Sequence, residues 1–183
     1  MNNLKSSILI AVFTFFIAFL VTLSSQTRVQ YVNLLTAIII LITIVLIGIV
    51  FDMIGVAATV AREESFNAMA AKKVFGAKQG LYLVKHGDKV ASFMCDIVGD
   101  ICGTISGAIG AVIVIKIANN WGGSTTLINL IIIGIISAIT VGGKAFLKSY
   151  GIKKADRIIF LVGKLIAGFG IVKQMMQSKL RGG

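Results

Sequence analysis

Three carboxylates stand in stretches where a carboxylate is expensive. Asp52 ends the run "NLLTAIIILITIVLIGIVF", and Asp96 and Asp100 sit four residues apart in "SFMCDIVGDICGTISG". An acid within hydrocarbon costs several kcal/mol unless it is paired or hydrated, so such residues mark function by default. The chain has only seven acidic residues, so three in apolar surroundings are a concentration. Carboxylates, together with a hydroxyl such as that of Ser92 and backbone carbonyls such as that of Gly143, are the ligands of hard cations, Mg²⁺ or Ca²⁺. Softer metals lack their ligands here. His86 is the lone histidine, in a charged segment. Cys95 and Cys102 are seven apart on one expected helix, about 10 Å along its axis, too far to bridge. No nucleophile–base arrangement is present, so no catalytic residue or enzyme activity is expected. Serines and threonines in such stretches serve as helix–helix contacts. The rival use of the acids is internal neutralisation by Lys144, which would leave at least one acid uncompensated.

The elements that must hold these acids follow from composition. Of the 183 residues, 57% are hydrophobic, and the mean hydropathy is +0.96, beyond what soluble domains reach. There is no proline, and the alternating segments of about ten residues that a barrel needs are missing. An all-α integral membrane protein is expected, because helices satisfy their own backbone groups in lipid. Four stretches approach the roughly 20 residues needed to span: 7–23, 32–61, 90–116 and 125–146. The first has the n-region of a signal peptide in Lys5, but its core is long and "TLSSQ" is a poor cleavage site; it is read as a retained span. The whole is one membrane domain, 1–183.

Charge sets the orientation. The connection 24–31 holds one basic residue and 117–124 holds none, whereas 62–89 holds Arg62, Lys72, Lys73, Lys78, Lys85 and Lys89, and the tail after 146 holds eight. Positive residues stay on the cytoplasmic side. Both termini and the 62–89 segment are therefore expected in the cytoplasm, in a multi-pass protein of the cell membrane. The net charge of +11 is explained by this topology and by attraction to anionic lipid, with no nucleic-acid partner. Segment 62–89 mixes apolar and charged residues and reads as an amphipathic helical hairpin broken near Gly76 or Gly80. In the tail, Ile158, Val162, Leu165, Phe169, Val172 and Met176 share one stripe, giving an interfacial juxtamembrane helix over 152–179.

Helix periodicity groups the acids with small residues. Asp96, Asp100, Ser92, Gly99, Gly103, Gly107 and Gly110 fall within about 100° of arc, opposite Val98, Ile101, Ile105, Ile109 and Val112. The third span thus has an expected lipid face of branched residues and an inward face of acids and glycines, which let another backbone approach. Asp52 groups with Gly48, Gly55 and Thr59. Counted from the cytoplasmic ends, Asp52 lies about 12 Å deep, and Asp96 and Asp100 about 9 and 15 Å. In the fourth span, "TVGGKAF" could unwind at its paired glycines and offer carbonyls to an ion.

The order of these features resembles the transmembrane domain of the CorC/cyclin M (CNNM) family of magnesium transporters. "FDMIGVAATVARE" looks like that family's first motif, "NAMAAKKVFGAKQGLYLVKHGDKVAS" like its charged hairpin, and "GGKAFLKSYGIKKADRIIFLVGKLI" like its last motif and following helix. "DIVGD" takes the place of an Asn-x-x-x-Asn pair. The resemblance covers about 45–170 and implies a transporter, or transporter subunit, for divalent cations, with Mg²⁺ bound at Asp52, Asp96 and Asp100 and with Ser92 and Gly143 nearby. Charges are rearranged relative to the family: Asp52 stands where it has Ser, and Lys144 where it has Glu. The family's nucleotide-binding CBS pair is expected to be missing and a first span added, which leaves room for a separate cytoplasmic regulatory partner. A homodimer is expected, since four helices enclose little and small-residue faces invite a second copy. The alternative is a non-transporting membrane scaffold or subunit in which an aspartate pairs with Lys144.

Overall fold

A computed structural model describes residues 2–29, 31–121 and 125–181, and among these the chain is helical with no strand. The helices are α1 (Asn2–Val29), α2 (Leu34–Val60), α3 (Glu63–Ala71), α4 (Ala77–Lys85), α5 (Gly87–Ala91), α6 (Gly99–Trp121), α7 (Thr125–Lys153) and α8 (Ala155–Arg181). A π-helical segment, Ser92–Val98, joins α5 to α6. Three stretches are long and apolar enough to cross a membrane: Leu34–Val60, Gly87–Asn119 and Asn129–Lys153. The remaining expected span, 7–23, falls within α1, whose apolar part Ala11–Ser24 is shorter than these.

The chain forms two compact units. The first comprises 1–51 and 96–145, the second 52–95 and 146–183. In the first, α2 buries the four-residue repeat Ala37, Leu41, Val45 and Ile49. Gly48 extends this face, and a Cβ there would come within 2.9 Å of the Cβ of Cys102 on α6. From α6 come Cys102, Ile105, Ile109 and Ile113, all buried, and α1 packs on α6. α7 approaches through Ile136, which lies over Gly110, and through Gly143, which faces Ile49.

The second unit is built on short helices. Ala57, Ala58 and Ala61 from the end of α2, Phe66 of α3, Leu83 of α4, and Ala155 and Ile159 of α8 form one core. Phe66 fills its centre with no exposed surface. α4 lies against α8 so closely that a Cβ on Gly163 would stand 2.5 Å from the Gly76 carbonyl and 2.8 Å from the Gly80 nitrogen. The α3–α4 turn is made possible by Gly76 at φ 84°, and Lys73 takes φ 54° in the same turn. That is an uncommon conformation for a residue with a Cβ.

Two expectations change. α7 remains helical through Gly142 and Gly143 and on to Lys153, so the paired glycines do not unwind, and their backbone groups serve the helix. The two faces of α6 are also not divided as expected, although Gly99 and Gly110 of the acid and glycine face are buried. Ile105 and Ile109, expected towards lipid, are 5% and 0% exposed, whereas Asp96, Asp100, Gly103, Thr104 and Gly107 are exposed. The reason is that lipid is as apolar as isoleucine, so a branched side chain gains nothing by facing it, and packing decides the face. Ile105 and Ile109 supply that packing, with Gly110 under Ile136, whereas Gly103 and Gly107 do not.

Candidate functional site

Asp52 is carried by the buried face of α2, one turn beyond Gly48, and is 3% exposed. Gly55 follows on the same face, where a Cβ would meet the Cys95 sulfur at 2.5 Å and the Met94 Cβ at 3.2 Å. This close approach lets the Cys95 thiol donate to the backbone carbonyl of Asp52 at 3.4 Å. The Asp52 carboxylate lies 3.3 Å from the ammonium of Lys148. Lys148 was not singled out from the sequence. A signal for it existed: it stands four residues beyond Lys144, on the same face of α7 by helical repeat. The pair is asymmetric, with the carboxylate enclosed and the lysine side chain 46% exposed.

Asp96 and Asp100 differ in setting. Asp96 is within the π-helical segment and Asp100 in the first turn of α6. Single π-helical turns are rare and recur at functional sites, since the extra residue per turn redirects side chains. Both aspartates are exposed, while Ser92, at the start of the segment, is half-buried. The Thr104 hydroxyl donates back to the Asp100 carbonyl at 2.9 Å, so it is engaged within its own helix. Below them the same face continues with Gly103 and Gly107, where a Cβ would meet nothing within 4 Å.

Gly143 and Lys144 of α7 are half-buried. Lys144 and Thr140 border a void of about 10 Å³ within the first unit, closed by Gly48, Cys102 and Ser106 among others. That is space for no more than one water. The hydroxyls facing it are already committed: Ser106 donates to the Cys102 carbonyl and Thr140 to the Ile136 carbonyl, both at 2.7 Å. Among the described residues, no group of three or more His, Cys, Asp or Glu is placed to hold a metal ion. The donor types at Asp52, Asp96, Asp100 and Ser92 are oxygens and suit a hard cation.

A second carboxylate cluster escaped the sequence reading. Asp156, in the first turn of α8, accepts from the Arg62 backbone N–H at 2.8 Å and from Arg62 Nε at 2.9 Å. It also lies 2.8 Å from the second guanidinium arm and accepts from the Ser65 hydroxyl at 3.4 Å. Burial pushes the Asp156 carboxyl up, but the Arg62 and Ser65 hydrogen bonds and the Arg62 charge outweigh it and hold it below its ordinary value. This clamp fastens the start of α3 to the start of α8. It is structural in character, since every donor around it comes from the same fold.

Comparison of the chain with family models, curated proteins and solved structures gives no match.

Proposed function

We propose that the chain is a membrane transporter, or the membrane subunit of one, for divalent cations of the Mg²⁺ type, and that it works as a homodimer. The observation that carries this reading is the uncovered face of α6. Two carboxylates, one of them in a π-helical segment, and two glycines form a face that a single chain leaves open within a span-length apolar stretch. Exposed carboxylates in hydrocarbon need a counter-ion, water or another protein. A second copy packed on Gly103 and Gly107 would bring two further carboxylates to the same place and complete an oxygen-rich site. Asp52 and Ser92 are the additional oxygen donors of this reading. The resemblance to the CorC/cyclin M membrane domain supports Mg²⁺ as the ion, and a four-span topology with both termini cytoplasmic belongs to the same proposal. Titration calorimetry of the full chain in detergent tests it. Wild type is expected to give saturable heat with Mg²⁺, and Asp96→Ala/Asp100→Ala to give none; equal heats from the two proteins would remove the site.

A second reading is favoured by the Asp52–Lys148 ion pair. In a non-transporting scaffold or subunit the acid is neutralised from within and needs no ion. Lys148, one turn beyond the Lys144 named from the sequence, supplies a counter-charge in this reading. Under this reading Mg²⁺ leaves the melting temperature of the wild type unchanged, while Lys148→Met lowers it.

A further inference from the structure

We infer that the second unit carries a binding groove for an anionic phospholipid of the adjoining leaflet, between α4 and α8. The groove has two parts. One, of about 310 Å³, is lined by Lys78, Gln79, Tyr82, Leu83 and Ile166. The other, of about 350 Å³, is lined by Lys73, Val74, Phe75, Gly76, Lys78, Gln79 and Ala167. Lys78 and Gln79 border both, so the parts run together along α4.

The lining has the two chemistries of a phospholipid. Lys73 and Lys78 are the charged residues of the walls, and no acid lines either part. The acids of this unit with ion pairs are committed elsewhere: Glu63 to Lys85, Asp156 to Arg62 and Asp52 to Lys148. Neither Lys73 nor Lys78 makes an ion pair among the described residues. The rest of the wall is apolar, and its mouth is edged by side chains that the unit leaves uncovered: Val74 at 38%, Phe75 at 51% and Tyr82 at 64% exposed. Leu165 and Phe169 of α8 are uncovered as well. Water is a poor solvent for such a set, and acyl chains are a good one.

Backbone geometry adds a second, independent sign. Lys73 is the non-glycine residue with positive φ among those described. Strain of this kind persists where the surroundings over-determine it, and it concentrates at ligand clamps. Here it sets a lysine in the wall of the second part while Gly76 packs on the α8 backbone at Lys164. A lipid is the occupant favoured because the unit itself contains the last turns of α2 and α7, 52–60 and 146–153, which end two stretches long and apolar enough to cross a membrane. A lysine near an anionic leaflet is attracted to it, and the apolar mouth favours a ligand with chains over a bare anion.

The inference is independent of the transport reading. Thermal unfolding of the full chain in neutral detergent tests it, with micelles doped with phosphatidylglycerol or phosphatidylcholine, or with inorganic phosphate in solution. Phosphatidylglycerol is expected to raise the wild-type melting temperature by about 3 °C or more, as a ligand of the folded state must, while phosphatidylcholine and phosphate leave it unchanged. Lys73→Asn/Lys78→Gln is expected to lose at least half of that shift; asparagine is chosen because it tolerates positive φ. Lys78→Glu, at an exposed position of α4, is a second variant that leaves the turn intact and is expected to lose the shift as well. Lys153→Gln/Lys154→Gln, outside the groove, should keep it. An undiminished shift in both groove variants, an equal loss in the Lys153/Lys154 control, or an equal shift with inorganic phosphate would overturn the assignment.

Discussion

At the scale of single residues, the acids divide by what faces them. Asp156 is held by Arg62 and Ser65, and its carboxyl lies below the ordinary value. A carboxyl depressed in the folded state stabilises it fully above the unfolded value, near pH 4, and that contribution is lost as pH falls through the folded value. The chain is therefore expected to lose stability below about pH 4, and Asp156→Asn should flatten that part of the curve, as read by melting temperature against pH. The mutation also leaves Arg62 without its charge partner; because the guanidinium side is 77% exposed, the cost is modest, about 1 kcal/mol. Asp52 behaves differently, since its carboxylate is enclosed. Lys148→Met should cost roughly 1–3 kcal/mol by removing a counter-charge from an enclosed carboxylate, whereas Asp52→Asn/Lys148→Met should cost less than the two single changes together. A chemical-denaturation cycle in mixed micelles measures the difference.

At the scale of elements, glycines decide how closely helices approach. Gly163 lets α8 lie on the Gly76 and Gly80 backbone, and the atoms a Cβ would strike are main-chain atoms that cannot swing aside. Gly163→Ala is expected to destabilise by about 1–3 kcal/mol, the range for overpacking a tight contact. Phe66→Ala should cost about 3–5 kcal/mol, because it empties the centre of the same core. Gly103 and Gly107 have the opposite character. With nothing within 4 Å of either Cβ position, Gly107→Ala should leave the fold of one chain within about 0.5 kcal/mol of wild type.

At the scale of the whole molecule, that contrast becomes a test of assembly. If a second copy packs on α6, a bulky residue at Gly107 separates the copies without disturbing either. Gly107→Ile is expected to move the protein from dimer to monomer in detergent, by light scattering, while its helical content stays unchanged. A monomeric wild type, or a dimer indifferent to Gly107→Ile, would count against a homodimer on this face. The same variant should weaken Mg²⁺ binding if the site draws carboxylates from two copies, and this links the interface to the ion.

Composition alone determined that the protein is helical and built of apolar stretches of spanning length, because a chain this hydrophobic has few other ways to satisfy its backbone in lipid. The inward face of α2 was legible in part: Gly48, Asp52 and Gly55 are buried as their grouping required, whereas Thr59 of the same group is exposed. Applied to α6, the same rule held for Gly99 and Gly110, which are buried, but not for Ile105 and Ile109, which are buried where lipid was expected. Apolar side chains ring that helix, hydropathy has no preferred direction around it, and close packing of Ile105 and Ile109 chose the face. Partners across the chain were out of reach as well. Arg62 meets Asp156, 94 positions away, and Asp52 meets Lys148, because helix packing, not spacing along the chain, brings such side chains together. The tertiary structure decided which acids are enclosed and which are exposed, because that depends on what packs against each helix face, and hydropathy along the chain does not state it.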